Sequence, residues 1–452
     1  MSLKHMARVT AWAVAWACSG FLMSGPGAVA AVHSSSSSAT REAGPPQSHA
    51  ETPVPLATPA SAVGRVFELA DARLAVMPAV AAVKWKTHAP IYDPPRESAV
   101  IQRAKDLAAP MGLAGAAIGR LFELQARLAR EVQGRLHAQW QANGFADQGP
   151  ATTLAELRPR LDGLTIALLQ AIYVAAPELQ QPDFATRYDA LAEQALHSDG
   201  WSGEGRRELL AQLAQIRRTP VPVLQRIAAT GVLRVGTTGD YAPFSVEANG
   251  SVSGADIELA EELAQKLHAR PVFVRTSWSG LLDDLQRDEF DLVFSGVTIT
   301  PSREAQGAFS LPYASGGKTA IARCTDVAKF GDLRAIDRSP VRVIVNPGGT
   351  NEQYVRANLH QAQVVVFPDN RAIFDEIVAG RADVMVTDDV EVELQTRRHH
   401  ELCRPFAALL THAQKAIFLP RDAEWQRSLN SWLAEAIAAG EPARLLKSYL
   451  QR

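Results

Sequence analysis

Cysteine is scarce in this 452-residue chain, with three residues in all, Cys18, Cys324 and Cys403. No histidine arrangement accompanies them, which argues against a metal site or a thiol nucleophile. Excess basic charge is also missing. A formal net charge of −2 leaves no electrostatic footprint for a nucleic-acid partner. After the first thirty residues no long apolar run occurs, so no later segment reads as a membrane span. Short-period internal repeats are absent too, which sets aside a solenoid.

The start of the chain carries Lys4 and Arg8, an apolar run from Val9 to Met23 broken by Cys18-Ser19-Gly20, and then Ala28-Val29-Ala30. This order of a basic region, an apolar stretch and small residues predicts a signal peptide over 1–30, removed after about Ala30. The run is short and interrupted for a bilayer anchor. Bulky Trp16, two residues before Cys18, disfavours a lipid-modified cysteine. Export leaves Cys324 and Cys403 in an oxidising compartment, where one disulfide between them is the default.

Three textures follow. Residues 31–60 are rich in Ser, Ala and Pro, including the run Ser34 to Ser38, and predict a flexible tether. From 61 to 218, Ala, Leu, Arg, Glu and Gln dominate with helical spacing, which predicts an all-α domain. From 219 to 452, short β runs such as "VLRVGTT" and "PVFVRTS" alternate with amphipathic stretches such as "ADIELAEELAQKL". That alternation predicts an α/β domain with parallel strands. The expected fold class is therefore multi-domain, all-α followed by α/β, in 452 residues that allow more than one core.

Arg73 and Lys84 stand eleven positions apart, which returns them to one helical face at about 100° per residue. Val66, Leu69, Ala70, Met77 and Val80 share that stripe, so the face packs inward, with Pro78 a candidate kink. Cations on an apolar face need anions, because an unpaired buried charge is costly. Glu68 or Asp71 are internal candidates, snorkelling to solvent is a second solution, and a ligand is the third. Arg96 and Glu97 follow "YDPP". On the next long helix Phe122, Ala126, Ala129, Gln133, Leu136 and Trp140 share a face.

The stretch "ADARLAVMPAVAAVKWKTHAPIYDPPRE" resembles the exported, all-helical chorismate mutases, with a likeness running from about Val66 to Leu196. The spacing Arg-x10-Lys-x11-Arg carries it. The resemblance implies a chorismate site of Arg73, Arg96, Glu97 and Arg158 around catalytic Lys84 and Gln133. Ala129 stands where some members have a hydroxyl, and Gln133 where others have Glu. The implied reaction needs no nucleophile and no cofactor: a dicarboxylate is held folded while negative charge grows on an ether oxygen.

In "VRVIVNPGGTNEQYVRANL", Val341 to Leu359, an apolar run breaks at Asn346-Pro347-Gly348-Gly349 and resumes with helical spacing. A strand, a glycine turn and a helix start form an anion site, because free N–H groups point outward at the positive end of the helix. Glu352 falls in the first helical turn. An acid there either favours the helix N-terminus or serves as a proton donor beside a bound anion, and the residues alone leave both open.

"GVLRVGTTGDYAPFS", "GADIELAEELAQKL", "DLVFSGVTITPSREAQGAFSLPY" and "GRADVMVTDD" together resemble the two-lobed periplasmic amino-acid-binding fold. That implies a second lobe over about 326–412 and a ligand in the cleft between lobes. "IVNPGGTNE", "TTGDYAPFS" and "SGGKT" are similar to cyclohexadienyl dehydratase, an enzyme built on that scaffold. The resemblance implies Glu352 as general acid, its pKa raised by burial beside an anion. It also implies a prephenate or arogenate site of Trp278, Arg303, Lys318, Gly349, Thr350, Asn351 and Asp388. The implied whole is a periplasmic bifunctional enzyme taking chorismate through prephenate to phenylpyruvate in phenylalanine biosynthesis, without cofactor or metal. Small molecules are its expected partners, with neither nucleic acid nor, once the signal is removed, membrane; whether it forms a homo-oligomer stays open. A rival reading keeps the mutase and makes the second half a non-catalytic amino-acid receptor or sensor.

Overall fold

The computed structural model describes Val54–Pro55 and residues 59–145 and 152–451. The expected signal peptide and most of the expected tether lie outside these residues. The tether's end is corrected: Val54–Pro55 is a short strand pairing antiparallel with Ser251–Val252, and a helix begins at Pro59.

Helices occupy the first half: Pro59–Leu74, Met77–Thr87, Pro94–Ala108, Gly115–Asn143, Leu154–Leu179, Phe184–Ala195 and Gly203–Leu213. The periodic apolar face of the 29-residue helix Gly115–Asn143 buries Leu121, Phe122, Leu124, Leu128 and Val132. Opposite it lies Leu154–Leu179, started by a capping box in which Thr153 and Glu156 exchange hydrogen bonds. Arg73 and Lys84 do not share one continuous helix. The chain breaks between Leu74 and Met77, where Pro78 sits in the first turn of the following helix and cannot donate a backbone hydrogen bond.

The second half forms two five-stranded sheets, beside a small third sheet in which Asp240–Tyr241, Ser245–Ala248 and Ser251–Ser253 join Val54–Pro55. The first has the order Arg270–Arg275, Val232–Thr237, Leu292–Val293, Ala413–Leu419, Ala308–Gly316. Its first three strands are parallel, while Ala413–Leu419 runs antiparallel to both of its neighbours. The second sheet has the order Gln363–Val366, Arg342–Val345, Val384–Asp388, Lys318–Arg323, Leu402–Cys403. Again three parallel strands come first, and Lys318–Arg323 runs antiparallel to both of its neighbours. The second lobe thus begins by Lys318, ahead of the expected 326, because the chain crosses at Gly316-Gly317. A side chain at Gly317 would come within 1.8 Å of the Thr411 carbonyl oxygen on the return crossing. A disulfide joins Cys324 to Cys403 across 79 positions, inside this lobe.

The helical half meets the first lobe through Tyr173 on Leu154–Leu179. Its ring is buried beneath the guanidinium groups of Arg218, Arg226 and Arg234, which lie 4.9, 5.9 and 5.1 Å from its centroid. Arg218 also donates to the Tyr173 carbonyl at 3.0 Å and to the Asp288 carbonyl at 2.8 Å. Arg226 and Arg234 both pair with fully buried Asp291. Among the described residues no helix is long and apolar enough to cross a membrane.

Candidate active sites

A cavity of about 240 Å³ in the helical half is lined by Arg73, Lys84, Arg96, Glu97, Gln133 and Arg158, so the structure brings these six together. Despite the break at Pro78, Arg73 and Lys84 end successive helices whose last turns face the same space. Arg73 is 8% exposed and has no carboxylate within ion-pair distance among the described residues. It donates to the Leu161 carbonyl at 2.9 Å and to Thr165, and stacks over Phe122. Burial lowers its pKa to about 10, against the pull of Asp162. The two internal acids that could have neutralised it are engaged elsewhere: Glu68 pairs with Arg65, and Asp71 accepts from the Ser198 amide. Lys84 likewise spends its ammonium on a neutral group, the Ile91 carbonyl at 2.9 Å, and burial lowers its pKa against Asp93 and Glu97. Gln133 donates one amide N–H to the Ala129 carbonyl at 3.0 Å, and its Oε1 is buried without a partner. A buried cation satisfied only by dipoles is poised for an anionic ligand.

Sequence reasoning missed Arg130, Gln125, Asp162 and Thr165, which also line the cavity. Arg130 pairs with Glu97. Its signal was present, since it stands three residues before Gln133 on the same helix.

Between the lobes of the second half lies a tighter cleft, lined by Tyr241, Trp278, Arg303, Gly349, Thr350, Asn351, Asp388 and Lys415 among others. Gly348 can only be glycine. Its φ is +77°, and a side chain there would sit 2.8 Å from Ser279 of the opposite lobe. Arg303 is 7% exposed, lies over the Trp278 ring and donates to the Thr298 carbonyl at 2.9 Å. Burial lowers its pKa to about 10, and no carboxylate pairs with it among the described residues. Trp278 is fixed by an Nε1 bond to Asp240 at 3.1 Å. Lys318 opens onto an adjoining cavity that shares Thr350 and Asp388 with the cleft, and its ammonium donates to Thr350 at 3.0 Å and to Asp388 at 2.6 Å. Burial lowers its pKa. Lys415, which sequence reasoning missed, reaches across from the first lobe to Asp388 at 2.6 Å and to Thr298 at 2.8 Å. Burial would raise the pKa of Asp388, but Lys415 and Lys318 outweigh it and hold the group well below the usual carboxylate range.

The environment of Glu352 differs from the expected burial beside an anion. Its carboxylate does not line the cleft; it accepts the Gly348 N–H at 2.8 Å and pairs with Arg356 at 2.8 Å. The Gly348 amide and then Arg356 lower its pKa, where a raised one was expected. The ordinary preference of acids for a helix start accounts for the position. Burial raises the pKa of Asp240, of Asp256, which moves to about 7, and of Glu391, in the first turn of Asp389–Arg398, which is 2% exposed and does not line the cleft. Burial moves Glu391 to about 8; the hydrogen bond from Thr387 opposes this and Asp388 adds to it. Asp240 of the facing lobe adds to it as well, and Glu391 in turn raises the pKa of the Tyr241 hydroxyl.

Residues 233–452 match the family model of bacterial extracellular solute-binding proteins, family 3, and residues 65–134 match chorismate mutase type II. A cyclohexadienyl dehydratase of Pseudomonas aeruginosa is 45% identical over 234 residues, covering 50% of this chain and 86% of that protein. An L-cystine-binding protein of Escherichia coli is 29% identical over 168 residues, 37% of this chain and 62% of the other. Among solved structures, an ancestral amino-acid-binding protein described as a precursor of cyclohexadienyl dehydratase is 34% identical with a TM-score of 0.47, covering 51% of this chain and all of that one.

Proposed function

We propose, from the premise that the chain belongs through its second half to the family 3 extracellular solute-binding proteins and carries a chorismate mutase type II domain in its first, that it is an exported bifunctional enzyme converting chorismate to prephenate and prephenate to phenylpyruvate. The observation that carries this is the pairing on one chain of a mutase domain with a domain 45% identical to a cyclohexadienyl dehydratase. The product of the first reaction is the substrate of the second.

In the helical cavity Arg73, Arg96 and Arg158 hold the two carboxylates of chorismate, so that the enolpyruvyl arm lies over the ring. Lys84 and Gln133 donate to the ether oxygen as its C–O bond breaks, and Glu97 meets the ring hydroxyl. Arg73, buried, and Lys84, half-buried, are bound only to neutral groups and supply fixed positive charge at little reorganisation cost.

In the interlobe cleft Arg303 takes a carboxylate and Trp278 walls the ring. The ring hydroxyl accepts one proton and leaves as water while the ring carboxylate leaves as carbon dioxide, its electron pair closing the aromatic ring. Glu352 supplies that proton from the first turn of the helix that brings Thr350 and Asn351 to the cleft; the Gly348 amide and Arg356 favour its ionised form, and an anion bound beside it pushes its pKa back up. Gly349, Thr350 and Asn351 bind an anion at the helix start. The disposition of segments, a leader over 1–30, a tether to about residue 53, the mutase to 218 and the dehydratase to 452, belongs to the same proposal, as does a periplasmic location.

The test is an assay of purified mature protein with chorismate, following ultraviolet absorbance of phenylpyruvate in alkali. Phenylpyruvate from both chorismate and prephenate is the expected result. Prephenate accumulating from chorismate without phenylpyruvate leaves a mutase joined to a receptor.

A further inference from the structure

Asp388 stands at the end of strand Val384–Asp388 with both carboxylate oxygens taken. Oδ1 receives the Lys318 ammonium at 2.6 Å; Oδ2 receives Lys415 at 2.6 Å and the hydroxyl of Tyr241. Neither lysine has spare capacity. Lys415 donates its other protons to Thr298 and Tyr241, and Lys318 to Thr350 and Asn351. Both are 6% exposed, and among the described residues Asp388 is the one carboxylate that pairs with either.

We propose that this cluster makes the cleft select ligands without an ammonium group, and that Lys415 sets the selection. The inference rests on the dehydratase reading and gives its substrate class: a cyclohexadienyl dicarboxylate bearing a keto group, in preference to the aminated analogue. An ammonium entering here needs an ionised acceptor. Asp388 is that acceptor only if it gives up a buried lysine, which is then left unpaired beside the incoming like charge. A keto oxygen meets the same lysines as a hydrogen-bond acceptor of favourable sign, displacing only a neutral partner such as Thr298 or Thr350. The rejecting element is a repulsive one, two cations already in place on Asp388. Arg303, with no acidic partner, remains available for a carboxylate in either ligand, so discrimination falls on the keto or amino end.

The experiment compares steady-state dehydration of prephenate and arogenate by the full chain and its Lys415→Met, Lys415→Gln and Lys415→Arg variants. Wild type is expected to favour prephenate in kcat/KM by about tenfold or more, with the difference carried mainly by KM. Lys415→Met and Lys415→Gln should each narrow the ratio about tenfold by improving arogenate, and Lys415→Arg should keep it. Equal use of both substrates by wild type overturns the proposal, as does an unchanged ratio in both neutral variants. If neither substrate is dehydrated, the dehydratase reading fails and calorimetric titration decides the selection. Phenylpyruvate binding more tightly than phenylalanine then supports it, and equal or reversed affinity overturns it.

Discussion

Two glutamates compete for the role of proton donor, and their surroundings separate them. Glu352 lies in the helix turn that carries cleft residues, where the Gly348 amide and Arg356 favour its ionised form, so it gains a proton as a bound anion raises its pKa. Glu391 keeps its proton to about pH 8 because it is buried, and the same burial, with its carboxylate held by Thr387, keeps it from the cleft. A general acid works only in the protonated form, so dehydratase kcat/KM should fall about tenfold per pH unit across the neutral range, read from a pH–rate profile. Glu352→Gln should lower dehydratase kcat by about 10²-fold or more while leaving mutase turnover unchanged. Glu391→Gln should keep dehydratase kcat within a few-fold of wild type; a loss matching that of Glu352→Gln would reverse the assignment. In the other cavity, Lys84→Ala removes a charged donor from the ether oxygen and should cost about 10²-fold in mutase turnover with prephenate dehydration untouched. The raised pKa of Glu391 was not legible in the sequence. Its pKa depends on burial by strands and loops distant in the chain, whereas Glu352 advertised itself by standing next to a glycine turn.

At the scale of elements, local signals were read well and long-range ones poorly. Helical spacing put Arg73, Lys84 and Gln133 on inward faces, while Arg96 and Arg158 followed from the family resemblance, and all five line one cavity. The Pro78 break, anticipated as a kink, separates two helices without turning either cation away. Lys415 was invisible for the opposite reason. It lies on a strand that returns to the first lobe after the whole second lobe has been built, and no spacing rule links it to Asp388, its partner across the cleft. The Cys324–Cys403 bridge ties the strand Lys318–Arg323, which carries a cleft lysine at its start, to the edge strand Leu402–Cys403. Closing a loop of this length should stabilise the second lobe by about 4 kcal/mol, so Cys324→Ser, or reduction, should lower its unfolding midpoint in denaturant by the corresponding amount.

For the whole molecule, the contact through Tyr173 joins the mutase region to the first lobe with an aromatic ring, three guanidinium groups and a buried aspartate. Tyr173→Ala leaves those cations facing a void and should destabilise the chain by about 3 kcal/mol, seen as a lowered thermal midpoint. Arg234, on the first strand of the first lobe, is the innermost of the three, so the joint reaches into that lobe's sheet. Such an anchorage makes the mutase a fixed mast on one jaw of a clam. Whatever hinge travel accompanies ligand capture is left to the other jaw, and a pair of fluorophores, one on the mast and one on the moving jaw, would read that travel as a change in energy transfer.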